Sequence, residues 1–237
     1  MLLALLAAAL WAAAALSLRC GSQDIPLGEL LAALRRGDPD NPALRILLHV
    51  RIPRTLAAGL AGGALALAGA LIQAVLNNAM ASPNVIGVNA GAGFAALLAA
   101  SLAPEAAGLV PLSSFLGAMG TALFIYALAA KAGLSRTTLI LAGIAVSSMM
   151  TAGSNALTLL YPDTAVGAAA FMLGGFSGVT LASVRAAGWY LAAGAVLAAG
   201  LAAELDVLRL GEESAAGLGL HVGRTRFLAV LAAALLA

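Results

Sequence analysis

Apolar and polar positions fall in long blocks along this chain. Residues 1–18 carry no charged side chain, and the 50 residues from Thr55 to Pro104 contain no Asp, Glu, Lys or Arg. A helix that crosses a membrane needs about 20 mainly apolar residues, because the hydrocarbon core is ~30 Å thick and each residue rises about 1.5 Å. On that rule the charge-free blocks predict spans at 1–18, 55–76, 84–103, 109–130, 138–160 and 186–203. The polar knot "NNAMASPN", 77–84, splits the two spans of the long block. A seventh span starts near Phe227 and has only the residues to Ala237, too few to cross, so the expectation is a truncated chain or one half of something larger. Between the fifth and sixth spans, 163–185 is a short apolar run broken by Gly174, Gly175 and Gly178. That pattern predicts a re-entrant or interfacial segment.

The fold class expected is all-α: a polytopic membrane helix bundle of six spans and the start of a seventh, forming a single domain over 1–237. Composition agrees, with 62% hydrophobic and 9% charged residues. The spans are rich in Ala and Gly. Gly59 with Gly63, and Gly87 with Gly91, have the small-xxx-small spacing that lets helices approach closely. The block at 1–18 has no positive charge ahead of it and no cleavage site, so it reads as a first membrane helix. Cys20 is the single cysteine, which excludes an intramolecular disulfide and a cysteine metal cluster.

Net charge is +2 and the charges sit in clusters, with no basic patch for nucleic acid. Six alternating spans put Arg19, Arg35, Arg36, Arg45, Arg51, Arg54 and Arg185 on one side. Lys131, Arg136, Arg209, Arg224 and Arg226 fall on the other. The positive-inside rule then weakly places the N-terminus outside.

Every acid lies in a loop or at a span edge, and no span holds an acid or His at its centre. Proton-coupled carriers use an ionisable intramembrane group, so this pattern argues against one, while sodium coupling through backbone oxygens stays open. His49 and His221 stand apart, so no metal site is expected, no catalytic set can be placed, and no phosphate loop is present. Any uphill transport needs energy from another chain. Span five carries Ser147, Thr151, Ser154 and Thr158 on one helical face, with Asn155 beside it. This stripe reads either as a wall of a solute pathway or as hydroxyls bonding neighbouring helices. "LDVLRLGEESAAGLGLHVGRTRF", 205–227, is long for a connection. Its "EESAAG" predicts a short helix with acids in the first turn and Gly217 ending it. The segment reads as a docking surface or as a helix on the lipid headgroups.

At this point the motifs resemble a family. "RIPRTLAAGLAGGALALAGALIQAVLNNAMASPNVIGVNAGAGFAA", 51–96, is similar to the second and third helices of permease subunits of ABC importers for iron–siderophore complexes, haem and cobalamin. Arg51, Pro53, Arg54, Gly69, Gln73, Asn78, Met80, Ala81, Pro83 and Gly87 match the family's pattern. Ala79 replaces its usual proline, and Asn77 stands where many members have a basic residue. "LSRTTLILAGIA", "FMLGGFSGV" and "LRLGEESAAGLGLHVGRTR" follow in the same order.

The resemblance implies a family fold of ten helices per subunit, working as a homodimer in the bacterial inner membrane. It implies ATPase subunits on the cytoplasmic side, a solute-binding protein outside, no cofactor, and no catalysis by the permease itself. It puts the N-terminus in the cytoplasm, against the weak charge count, with 19–54 and 163–185 external and 205–226 cytoplasmic. By matched position, Arg51 and Arg54 dock the binding protein, since guanidinium binds carboxylate bidentately, and Pro53 fixes the start of a helix. Asn78, Met80, Arg136 and Thr137 narrow the cytoplasmic end of the pathway. Leu210, Gly211, Glu212, Ser214, Ala215, Gly217, Leu218 and Gly219 couple to the ATPase. The stripe Ser147, Thr151, Ser154, Asn155 and Thr158 then reads as pathway lining. An ion-coupled secondary transporter and a membrane-embedded enzyme using 163–185 remain the alternatives.

Overall fold

The computed structural model describes residues 1–21, 28, 41–83, 87–106, 108–131, 136–163 and 174–237, with Arg136 described in its backbone alone. Among them every regular element is helical: α1 (Leu2–Arg19), α2 (Pro42–Leu76), α3 (Val88–Leu102), α4 (Leu109–Lys131), α5 (Arg136–Leu160), α6 (Leu181–Gly200), α7 (Ala202–Leu208), α8 (Glu212–Gly217) and α9 (Val222–Leu236). This is the all-α membrane bundle that the apolar blocks predict. Five helices, α1, α2, α4, α5 and α6, are long and apolar enough to cross a membrane. The third expected span differs. α3 has 15 residues, about 22 Å at ~1.5 Å per residue, short of the ~30 Å core. It starts at Val88 because its N-cap, Gly87, takes φ +68°, a left-handed conformation that a continuous helix does not contain. Residues 84–86 of that expected span, and 164–173 of the expected re-entrant segment, lie outside the described residues.

The chain divides into two compact units, Met1–Gly62 with Phe176–Trp189, and Gly63–Gly175 with Tyr190–Ala237. In the first, α2 begins at Pro42 and not at Thr55. Asn41 is its N-cap: Oδ1 accepts from the Ala43 N–H at 2.9 Å and the Leu44 N–H at 3.4 Å, and Pro42 takes the first helical position. Both choices suit a helix start, where four N–H groups lack intrahelical partners. The helix then widens into a π turn over Leu47–Arg51, with the Ile52 N–H donating to the Leu47 carbonyl. Pro53 follows at once. Its ring crowds the carbonyl four residues back and it has no N–H to give, and a π turn is one way a helix accommodates that. The segment "RIPR" therefore lies inside a helix, and Pro53 is not in a first turn.

α6 starts at Leu181, earlier than the expected 186. Thr180 and Ser183 explain it with reciprocal bonds: the Ser183 N–H donates to Thr180 Oγ1 at 3.2 Å, and the Thr180 N–H donates to Ser183 Oγ at 3.0 Å. This is a capping box with Ser in the place of Glu.

The second unit holds the main core. α2 contributes Ala64, Ala68, Leu71, Ile72 and Val75, and α4 contributes Ala118, Ala122, Ile125 and Ala129. Each set recurs at three or four residues, which is one helical face. α3, α4 and α5 pack on one another, and α9 packs against α4. Small residues permit the closeness. A Cβ at Gly91 would overlap the Thr121 side chain and the Gly117 carbonyl oxygen, and a Cβ at Gly117 would overlap Ala95 and the Gly91 carbonyl oxygen. Gly59 and Gly63, with the same spacing, would meet nothing within 4 Å.

Candidate functional site

Four segments carry the residues that the sequence marks. The first is the arginine pair. Arg51 is buried, and its Nη1 donates to the carbonyls of Leu18 and Arg19, both at 2.7 Å. Those are carbonyls at the C-terminus of α1, which the helix itself leaves without donors. Ser17 Oγ and Thr55 Oγ1, 2.8 Å apart, add a second tie between the same helices. Arg54 is exposed on the outer face of α2. The two arginines, alike in sequence, thus stand in different environments: Arg51 is engaged with α1, and Arg54 faces outward.

The second is the turn after α2. Asn77 has φ +45°. The Asn78 N–H donates to the Gln73 carbonyl and the Asn77 N–H to the Ala74 carbonyl, the paired bonds of a Schellman helix end with Asn in place of Gly. Asn78 Oδ1 then accepts from the Met80 N–H at 2.9 Å, closing an Asx turn that leaves Met80 91% exposed. Thr137 is exposed at the start of α5. The side chain of Arg136 lies outside the described residues.

The third is the stripe on α5. Ser147, Thr151, Ser154 and Thr158 each donate to the carbonyl four residues back in their own helix, at 2.7, 2.8, 3.0 and 2.9 Å. Among the described residues, none of these hydroxyls bonds across to another helix. Thr151, Asn155 and Thr158 are exposed, Ser147 is half-buried and Ser154 is buried.

The fourth is 202–226. α8 starts after Gly211, whose φ is +110°, with Glu212 and Glu213 in its first turn. It ends at Gly217, as expected, but Gly217 is not the left-handed residue that closes it. Gly219, at φ +86°, takes the left-handed position; the Leu220 N–H donates to the Ala215 carbonyl and the Gly219 N–H to the Ala216 carbonyl. This is again a Schellman end, and Gly219, not Gly217, supplies it. Ala215 is fully buried, while Leu210 and Leu218 are 66% and 69% exposed. Gly211 is half-buried, and Glu212, Ser214, Gly217 and Gly219 are exposed. Sequence reasoning missed Arg226. It is fully buried in α9 and pairs with Glu212 at 2.5 Å. Beside it, Thr225 Oγ1 donates to Glu204 Oε2 at 3.3 Å. The signal is weak: in the sequence Arg226 is one of two arginines two residues apart at the start of an apolar run, and nothing there separates it from Arg224.

Helices of this length and apolarity, with polar turns between them, define a multi-pass helical membrane protein. The chain belongs to the FecCD transport family, whose model matches residues 9–237. It is 34% identical over 209 residues to the achromobactin transport system permease protein CbrC of Dickeya dadantii, covering 87% of this chain and 60% of that one. To the ferric enterobactin transport system permease protein FepD of Escherichia coli it is 34% identical over 223 residues, covering 93% and 66%. To the cobalamin import system permease protein BtuC of Halobacterium salinarum it is 33% identical over 196 residues, covering 82% and 53%. The chain thus spans between about half and two thirds of the length of these curated relatives. A solved metal-chelate type ABC transporter in an inward-facing conformation has a similar fold, with TM-score 0.81, 24% identity, and coverage of 96% of this chain and 70% of that one. The family is one of transport permeases, so the alternative of a membrane-embedded enzyme falls.

Proposed function

We propose that this chain is the permease subunit of an ATP-driven importer for iron chelates, of the siderophore, haem or cobalamin kind. It sits in the bacterial inner membrane with its N-terminus in the cytoplasm and works as a homodimer. A binding protein delivers solute on the side of 19–54 and 163–185, docking through Arg54, with Arg51 holding α1 in place beneath it. The turn at Asn78 and Met80, with Arg136 and Thr137, narrows the cytoplasmic end. The exposed hydroxyls of Thr151 and Thr158, with Asn155 and the partly covered Ser147 and Ser154, line the route. Hydrolysis of ATP belongs to separate subunits that engage 205–226 through Leu210, Gly211, Glu212, Ser214, Ala215, Gly217, Leu218 and Gly219.

The observation that carries this reading is the build of α7 and α8. A simple connection between two membrane helices needs no ion pair to a buried arginine and no exposed leucines. Here side-chain bonds fasten the segment from beneath, while Leu210 and Leu218 stand clear of its surface. Such a face fits a protein partner. Ser214→Cys, in a cysteine-free background made by Cys20→Ser, tests it. A bifunctional thiol reagent is expected to join this position to a co-expressed ATPase subunit. Capture of lipid alone would refute the coupling role.

A further inference from the structure

The bonds beneath α8 suggest how motion leaves it, an inference that rests on the coupling role just proposed. We propose that Arg226 is a positioning residue that locks α8 to α9, so that a displacement of α8 passes to α9 as one rigid body. In sequence α8 reaches α9 through a short turn containing Gly219 at φ +86°. That covalent link and the buried Ala215 hold the C-terminal half of α8, which leaves the first turn of a six-residue helix free to pivot. The Glu212–Arg226 pair is a second link, at the opposite end of α8, and two links remove the hinge.

The chemistry suits the role. Arg226 is 0% exposed and Glu212 45% exposed in their side chains. A buried guanidinium is costly unless a charge and good geometry compensate it, and a charge-assisted bond to carboxylate is the strong form of that compensation. The exposed partner therefore sits where a docked protein can push, and the buried partner sits in the helix that must respond. The base is firm on both sides. Thr225, the residue before Arg226, holds Glu204 of α7. The Tyr126 hydroxyl of α4 donates to the Gly223 carbonyl at 2.6 Å, and its ring meets Phe227 edge-on with centroids 5.3 Å apart. The first turns of α9 thus gather α4, α7 and α8.

The test uses the full chain with its ATPase subunits in lipid nanodiscs. Spin labels at Ala216→Cys and Arg224→Cys, in the Cys20→Ser background, report the α8–α9 distance. The expected result is one narrow distance, the same in the resting and the vanadate-trapped complex, which Arg226→Gln broadens. The ATP hydrolysis that the external binding protein stimulates is expected to fall about fivefold or more in Arg226→Gln, in the range usual for coupling between sites. Its half-saturation by the binding protein and the unstimulated ATP hydrolysis of the same preparation are both expected to hold, whereas a loss of folded complex lowers the unstimulated rate in proportion. The swap Glu212→Arg with Arg226→Glu is expected to restore both readouts. If Arg226→Gln does not accumulate, Glu212→Gln breaks the same pair from its half-exposed side, with the same loss expected. Unchanged stimulation and an unchanged distance in these variants overturn the lock. Failure of the wild-type α8 to crosslink to the ATPase overturns the coupling role itself, and the lock with it.

Discussion

Alanine placed at Gly59 or Gly63 and alanine placed at Gly91 should shift stability in opposite directions. In mid-helix, Gly→Ala gains about 1 kcal/mol of helix propensity. At Gly59 and Gly63 a Cβ meets nothing within 4 Å, so that gain stands alone. At Gly91 the new methyl collides with the Thr121 side chain and with the Gly117 carbonyl oxygen. A side chain can rotate away, but a backbone oxygen moves only if α3 and α4 separate. Overpacking of this kind costs about 1–3 kcal/mol, and separation also forfeits dispersion between the two helices. The propensity gain is common to both sites, so the gap between the variants is the overpacking cost, ~1–3 kcal/mol, with the lost dispersion added to it. Thermal unfolding of purified variants in detergent reads it, since ~1 kcal/mol moves the midpoint by about 2–4 °C in a chain of this size. A Gly91→Ala midpoint equal to wild type, or a Gly59→Ala loss as large as that of Gly91→Ala, would refute the packing argument.

Reversing the exposed cation with Arg54→Glu is expected to weaken binding-protein docking and to make the remaining affinity less sensitive to salt, read by titration at two ionic strengths; unchanged affinity removes the docking role. A thiol-accessibility scan is expected to modify cysteines at Thr151, Asn155 and Thr158 quickly and at Ser154 slowly, with solute protecting the fast set. Equal inaccessibility at all positions returns the stripe to packing. Gly219→Ala is expected to cost about 1–2 kcal/mol, the usual penalty for an L-residue in the left-handed region, while Gly217→Ala costs nothing; equal midpoints for the two variants contradict the assignment of the helix end.

The sequence discloses what depends on spacing along one helix and hides what depends on a distant partner. Charge-free runs locate α1, α4 and α5 within a few residues, because lipid demands length and apolarity and little else. The start of α2 is legible in principle, since Asn41-Pro42 is a cap followed by a first-turn proline, but Arg45, Arg51 and Arg54 interrupt the charge-free run and place its start at Thr55. The π turn at Leu47–Arg51 leaves no periodic trace. Gly217 and Gly219 are two residues apart, and only the backbone shows which one carries positive φ. Arg51 and Arg54 look equivalent until α1 folds back and offers its carbonyls to one of them. Arg226 has its acid partner fourteen positions earlier in the chain, across a turn that no pattern of single residues reveals.

Arg51 has a further effect on how the first helix meets its solvent. α1 has 18 residues, about 27 Å of rise, slightly less than the ~30 Å of an average hydrocarbon core. A lone helix of that length can slide along the bilayer normal as the membrane thins or thickens. The bonds from Arg51 to the carbonyls of Leu18 and Arg19 prevent this, because a slip of one turn, about 5.4 Å, breaks both. α1 and the start of α2 must then answer a change in lipid chain length by tilting together. The buried guanidinium acts as a depth stop for the entering chain, and its loss is the point at which lipid chain length starts to set the height of α1.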